Sequence, residues 1–383
     1  MRHQRGLLAI CGVLLLVSAC SPSAPPKATP SSASSTASVA PSTGTSPTSS
    51  TISPDAVSAV DTMLADMTSQ SVFSGSVLIS QHGHVLLSKG YGLADRDLKT
   101  PNGPQTRFLI GSNTKQFTAA AILLLEVQGK LKVSDLICNY IPNCPTAWGV
   151  ITIKELLTHT SGIPDYTAQP DFVDYQGQPS TPLQIIAHFR DLPLNFAPGT
   201  TWMYSNSGYF LLGYIIELVS GISYEAFLQK NILTPLNLSD TGYNHNSNGV
   251  AVGYSNGYSA TPAEPTDPST PYAAGGLYST VEDMNRWEQA LTTDALLPAA
   301  SRAEMFAPQA AIPGAPESYG YGFVIGTDSG RPLISHTGAI PGFMSDEGRY
   351  PAEDVTVIIL SNQSSVDIAT IFEGISAKIF SAA

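Results

Sequence analysis

The sequence predicts an α+β fold. An antiparallel sheet is built from both ends of the chain and flanked by N- and C-terminal helices, with a mainly helical lobe inserted between the strands. Two observations predict it. Strand-like runs gather at residues 75–92 and again at 321–361, while 112–300 carries helical patterns and long loops. That order is not the regular strand–helix alternation that builds a parallel sheet. A third observation bounds the class: the 383 residues carry a formal charge of −12 and are 43% hydrophobic. This is enough apolar material for a sizeable core. It is too acidic for a nucleic-acid partner, which needs a dense lysine and arginine face.

The chain opens with Arg2 and Arg5, then an apolar run over 6–17 that ends in V-S-A-C at Cys20. The run is too short to span a bilayer comfortably and has the layout of a targeting segment. It resembles a bacterial lipobox, which makes residues 1–20 a lipoprotein signal peptide with Cys20 as the lipid-modified residue. Residues 21–54 are almost entirely Ser, Thr, Ala and Pro, bury little apolar surface and are expected to form a disordered tether. The folded part, 55–383, is then exported. Its expected place is the outer face of the bacterial cytoplasmic membrane, or the periplasm, with a lipid anchor as the one membrane contact.

Within the folded part, Val57, Val60, Met63 and Leu64 predict a helix over 55–67. Residues 75–92 read as two strands around a turn at His82-Gly83. The H-x-H pair His82 and His84 is read as solvated turn residues rather than metal ligands. Cys138 and Cys144 lie in a turn-rich loop, where an oxidising exterior makes a disulfide the simplest reading; a metal would need more soft ligands nearby. Strands are expected at 321–325, 332–336 and 355–361, and a closing helix at 366–380. No metal or organic cofactor is implied.

Two serines compete as nucleophile. G-Y-S-N-G at 253–257 fits the nucleophile-elbow pattern, but prolines follow where the helix should be and no buried strand precedes it. Ser255 is therefore read as a loop residue. G-S-N-T-K at 111–115 instead runs into an apolar helix that Gly129 terminates, with Ser112 and Lys115 on one face. A lysine in a buried first turn is opposed by desolvation and by the helix dipole, so it releases its proton readily and can act as base for a neighbouring hydroxyl.

Two later runs complete a constellation. P-G-T-T-W-M-Y-S-N (198–206) places Tyr204 and Asn206 before another buried helix, and S-H-T-G-A (335–339) ends a strand. A phenol beside a lysine can relay a proton, and an amide can grip a carbonyl or orient the lysine. A glycine-flanked strand edge lets a substrate backbone lie alongside. S-N-T-K, Y-S-N and H-T-G in this order resemble the serine β-lactamase and penicillin-binding DD-peptidase superfamily, in its class C-like branch. L-L-T-H-T-S-G-I-P-D-Y (156–166) resembles that group as well.

The resemblance implies Ser112 as acylated nucleophile, Lys115 as its activator and Tyr204 as general acid/base. It implies substrate contacts from Asn206, His336, Thr337 and Gly338, and an oxyanion hole from the backbone N–H groups of Ser112 and Ala339. His159 is read as a structural turn residue. One departure bears on the substrate: His336 stands where class C β-lactamases usually carry lysine, and histidine is mostly neutral at pH 7. The expected activity is DD-peptidase-like acyl transfer on D-amino-acid peptides or related amides and esters. The substrate is a small molecule or derived from peptidoglycan. A class C-like β-lactamase, an esterase and a non-catalytic peptidoglycan-binding protein are the alternatives. Loops 165–182 and 243–275 are expected to shape the pocket.

Overall fold

The structure is a computed structural model that describes residues 51–243, 249–259 and 261–381. The expected lipidation residue Cys20 and most of the Ser/Thr/Pro-rich segment lie outside the described residues. Helix α1 (Pro54–Ser69) starts where the Ser53 hydroxyl accepts the Ala56 N–H, with Pro54 preset for the first turn. Strands β1 (Gly75–Gln81) and β2 (His84–Tyr91) follow. Their turn has His82 at φ 50° and Gly83 at φ 74°, the left-handed pair whose twist matches the strands it joins.

The helical lobe contains α2 (Thr114–Val127), α3 (Ile153–Leu157), α4 (Asn206–Ser220) and α5 (Val281–Leu291). The chain then returns to the sheet. Strands β3 (Ala310–Ala311), β4 (Ser318–Tyr319), β5 (Val324–Asp328), β6 (Arg331–Ile340), β7 (Phe343–Tyr350) and β8 (Val355–Ser361) lead to α6 (Ile368–Phe380). The order across the eight-stranded sheet is β2-β1-β8-β7-β6-β5-β4-β3. Neighbours are antiparallel, and the two ends of the chain meet where Gly75 pairs with Ser361 and Gln81 with Val355.

Each sheet face has its own core. Val77, Ile79, Val357 and Ile359 face α1 and α6, packing on Val60, Leu64 and Ile375. Leu78, Ile358 and Leu360 face the helical lobe and belong to the larger core with Phe117, Phe210 and Trp287. The Cys138–Cys144 disulfide is formed.

Three sequence expectations change. The strand expected at 321–325 begins only at Val324. Gly322, at φ 79°, turns the chain so closely over α2 that a Cβ there would lie 2.9 Å from the Lys115 carbonyl. The strand expected at 332–336 is β6 and runs on to Ile340. Strand β7 was not expected at all: F-M-S-D-E-G-R-Y places Asp346, Glu347 and Arg349 in buried positions. Glu347 and Arg349 fall on the lobe-facing side, where the Arg349 guanidinium donates to Glu288 of α5 at 2.9 Å.

Candidate active site

The nucleophile turn is fixed from beneath. Gly111–Asn113 forms a single 3-10 turn ahead of α2, with Gly111 at φ 50°. The Asn113 amide donates to Ser345 Oγ (2.8 Å), and that hydroxyl donates to the Ile110 carbonyl (2.8 Å). Gln116 donates to Asn113 Oδ1 (3.1 Å) and accepts from the Trp287 indole (2.8 Å). Every partner in this chain is buried, so its polar groups are satisfied inside the protein and the turn has little freedom.

Lys115 has no exposed surface. Its Nζ lies 3.0 Å from Ser112 Oγ, 2.8 Å from Asn206 Oδ1 and 2.7 Å from the Ala274 carbonyl. It also sits 4.8 Å from the centroid of the Tyr204 ring. Burial brings its pKa down to about 7, with the charge of Asp165 pulling the other way. The Tyr204 hydroxyl donates to Ser112 Oγ at 2.8 Å, and desolvation holds its pKa above the ordinary phenol value. Asn206, the first residue of α4, presents its carbonyl to Lys115. Its NH2 faces Asp165 Oδ2 (3.1 Å) and Thr167 Oγ1 (3.2 Å).

Strand β6 closes the other side. Strand β5 pairs only with Arg331–Ser335, so residues 336–340 keep an open edge on that side while β7 pairs along the other. Gly111 meets this half-strand backbone to backbone: a Cβ on it would lie 2.8 Å from the Ala339 amide nitrogen. Ser112, the next residue, therefore lies beside Ala339 at this open edge. Thr337 and Ala339 are exposed along the strand and Gly338 is buried.

His336 departs from its expected position facing substrate. It is 4% exposed. Its Nδ1 donates to the Thr337 carbonyl (2.6 Å), which leaves Nε2 to accept from the Tyr319 hydroxyl (2.9 Å). Burial first, and the charge of Lys115 second, bring its pKa to about 3, so it is a neutral ring within the protein. His159 lies behind Tyr204, ring centroids 4.4 Å apart, and its Nδ1 accepts the Ser205 N–H. It does not reach Ser112; it backs the tyrosine. Ser255 is exposed in a loop held by Tyr254, whose hydroxyl accepts from the Arg96 N–H.

A serine hydroxyl, a buried lysine near its titration point and a phenol meet at one oxygen, an arrangement capable of acyl transfer. A family model described as Beta-lactamase matches residues 59–370. The chain belongs to the beta-lactamase family. Among its relatives, PbpX of Bacillus subtilis (strain 168), which carries the designation of a penicillin-binding protein, is 35% identical over 295 residues, covering 76% of this chain and 71% of PbpX. A penicillin-binding protein from Bacillus halodurans superposes with a TM-score of 0.74 at 28% identity, over 82% of this chain and 98% of that one. The D-amino acid amidase from Ochrobactrum anthropi SV3, complexed with D-phenylalanine, gives 0.74 at 25% identity, over 86% and 100%. The chain is a serine hydrolase.

In this beta-lactamase-family site the cleft over Ser112 holds about 220 Å³. Both loops expected to shape it do line it: Tyr166, Phe172 and Gln176 from one, Thr266, Pro271 and Ala274 from the other. Sequence reasoning missed three members. Asp165 lay inside the quoted I-P-D-Y run without a role. Tyr319, which fixes His336, sits on a strand too short to read. The Ala274 carbonyl has no sequence signal, because any residue supplies a carbonyl and only the fold delivers it to Lys115.

Proposed function

We propose that this chain is an exported serine hydrolase that forms an acyl-enzyme on Ser112. Its substrates are amide or peptide bonds following a D-amino acid, as in DD-peptidases and D-amino-acid amidases. The meeting of Lys115 and Tyr204 at Ser112 Oγ carries the reading. With Lys115 neutral, its two N–H bonds go to Asn206 and Ala274, and its lone pair faces the serine. Ser112 Oγ attacks the substrate carbonyl carbon as Lys115 takes the hydroxyl proton. The oxyanion forms against the Ser112 and Ala339 amides. The C–N bond then breaks, and the proton reaches the departing nitrogen by way of Tyr204. Water hydrolyses the ester by the reverse route, releasing the acid and returning the proton to Ser112.

The likeness to the two penicillin-binding relatives and to the D-amino acid amidase supports this substrate class. The motif order supports the class C-like branch. The V-S-A-C run at Cys20 and the tether behind it support a lipid-anchored protein facing peptidoglycan. Intact-protein mass spectrometry after incubation with penicillin, beside Ser112→Ala, tests the reading. The expected result is a stable adduct on Ser112 that the variant lacks. Rapid loss of drug without an adduct would instead identify a β-lactamase. Cleavage of simple esters alone would identify an esterase, and inertness to all of them a binding protein.

A further inference from the structure

The Asn206 amide has two unlike ends, and the group that decides which of them meets Lys115 lies outside the catalytic trio. Asn206 Oδ1 is 2.8 Å from Lys115 Nζ, while its NH2 faces Asp165 Oδ2 (3.1 Å) and Thr167 Oγ1 (3.2 Å). A threonine hydroxyl donates or accepts, so Thr167 suits either end of the amide. An ionised carboxylate only accepts. Asp165 therefore holds the NH2 on its own side and sends the oxygen to Lys115. The flipped amide would set its oxygen against the carboxylate and an N–H against Lys115, where it would compete for the lone pair that the serine proton needs. Asp165 is itself fixed. Its Oδ1 accepts the Thr167 N–H (3.0 Å) at the start of the turn Tyr166–Ala168, and the Gln169 side chain donates to its backbone carbonyl (3.0 Å). One carboxylate oxygen serves the loop and the other serves the lysine's partner.

Resting on the assignment of Lys115 as the base for Ser112, we infer that Asp165 is a positioning residue for acylation: through Asn206 it sets which hydrogen-bonding group Lys115 meets, and so keeps the lysine lone pair free for the serine. Its charge gives that role a signature in pH. Among the described residues, the other ionisable groups that face Lys115 are Tyr204 and Tyr209, whose ring centroids lie 4.8 and 5.5 Å from Nζ, and His159 and His336. Desolvation keeps both phenols protonated and both imidazoles neutral. Asp165 is then the charge that acts on Lys115. Burial favours the neutral amine and Asp165 opposes it. Without the carboxylate, the proton-accepting form of Lys115 persists to lower pH.

The test times acylation of the full chain by penicillin, by quenched mass spectrometry from pH 5 to 9, for the parent and for Asp165→Asn. Asparagine keeps a capping oxygen for the Thr167 N–H but no longer dictates how Asn206 lies. The plateau rate is expected to fall about tenfold as the amide loses its fixed orientation. The acid limb is expected to move to lower pH, so that the rate at pH 5.5, as a fraction of each plateau, rises about threefold. Thr167→Val, which leaves the charge in place, should not move the limb. Asp165→Ser, another uncharged cap, takes the place of the asparagine variant if that one does not fold. An unmoved limb or an undiminished plateau would overturn the inference and leave Asp165 a loop cap, with the parent profile still reporting Lys115 as the base. A parent profile flat through pH 7 would remove Lys115 as the base, and the inference with it. If penicillin leaves Ser112 unmodified, a fluorophosphonate that reacts with activated serines is used in the same series; if neither reagent reacts, the acyl-enzyme reading and the inference fall together.

Discussion

In the proposed mechanism Lys115 is the residue on which the chemistry turns, because a lysine with no exposed surface holds its charge only at a cost. Its pKa of about 7, set by burial, places the neutral, proton-accepting form in the majority above that pH. The acylation rate should therefore rise about tenfold per pH unit below 7 and level off above it. Tyr204, with its pKa raised, keeps its proton throughout, so no fall is expected up to pH 9. Timing penicillin acylation by quenched mass spectrometry between pH 5 and 9 checks this. A profile flat through pH 7 would remove Lys115 as the base. Lys115→Arg, charged at every accessible pH, should slow acylation by about 10²–10⁴-fold.

At the scale of the element, the contact between the nucleophile turn and β6 depends on a missing side chain. A Cβ on Gly338 would lie 2.0 Å from the Ile110 carbonyl and 2.4 Å from Ser345 Oγ. Backbone cannot step aside as a flexible side chain can, so Gly338→Ala should push Ser112 away from the strand. We expect it to destabilise the fold by about 1–3 kcal/mol and to lower kcat/KM by about 100-fold or more. Gly103→Ala, with nothing near its added methyl, should stay within about 0.5 kcal/mol of the parent; urea unfolding and hydrolysis rates separate the two. The same elements show how far sequence could be read. The continuous apolar run V-T-V-I-I-L-S announces β8, and the spacing of Ser112 and Lys115 announces their shared face. β7 stayed hidden because its inward positions carry Ser345, Glu347 and Arg349, whose partners Asn113 and Glu288 lie far away in the chain. The burial of His336 was equally illegible: it depends on Tyr319, brought alongside by sheet pairing alone.

Across the whole molecule, sheet and helical lobe are joined through a buried charge imbalance. Glu288 and Glu347 are each 1% exposed, with Arg349 as the adjacent cation and Gln116 as the neutral neighbour. One positive charge cannot balance two carboxylates. Burial, then the like charge of Glu288, drives the Glu347 pKa well above its ordinary value, so the folded protein holds that proton. Above an unfolded-state pKa of about 4.3 the unfolded chain releases it and the folded chain does not, so wild-type stability falls as pH rises. Glu347→Gln keeps the shape without the titration. It should be more stable than the parent by about 1–3 kcal/mol at pH 8, with the gap closing toward pH 4. Urea unfolding at both pH values checks this; a variant weaker at pH 8 would mean that the carboxylate is ionised there. The pairing of β1 with β8 also sets a clock. Until residues 355–361 have been made, β1 lacks its inner neighbour. At about 5–20 residues per second, that wait is roughly 15–60 s. For that interval the sheet has no centre to close around, and neither of the two cores that flank it can be completed before the last strand is synthesised.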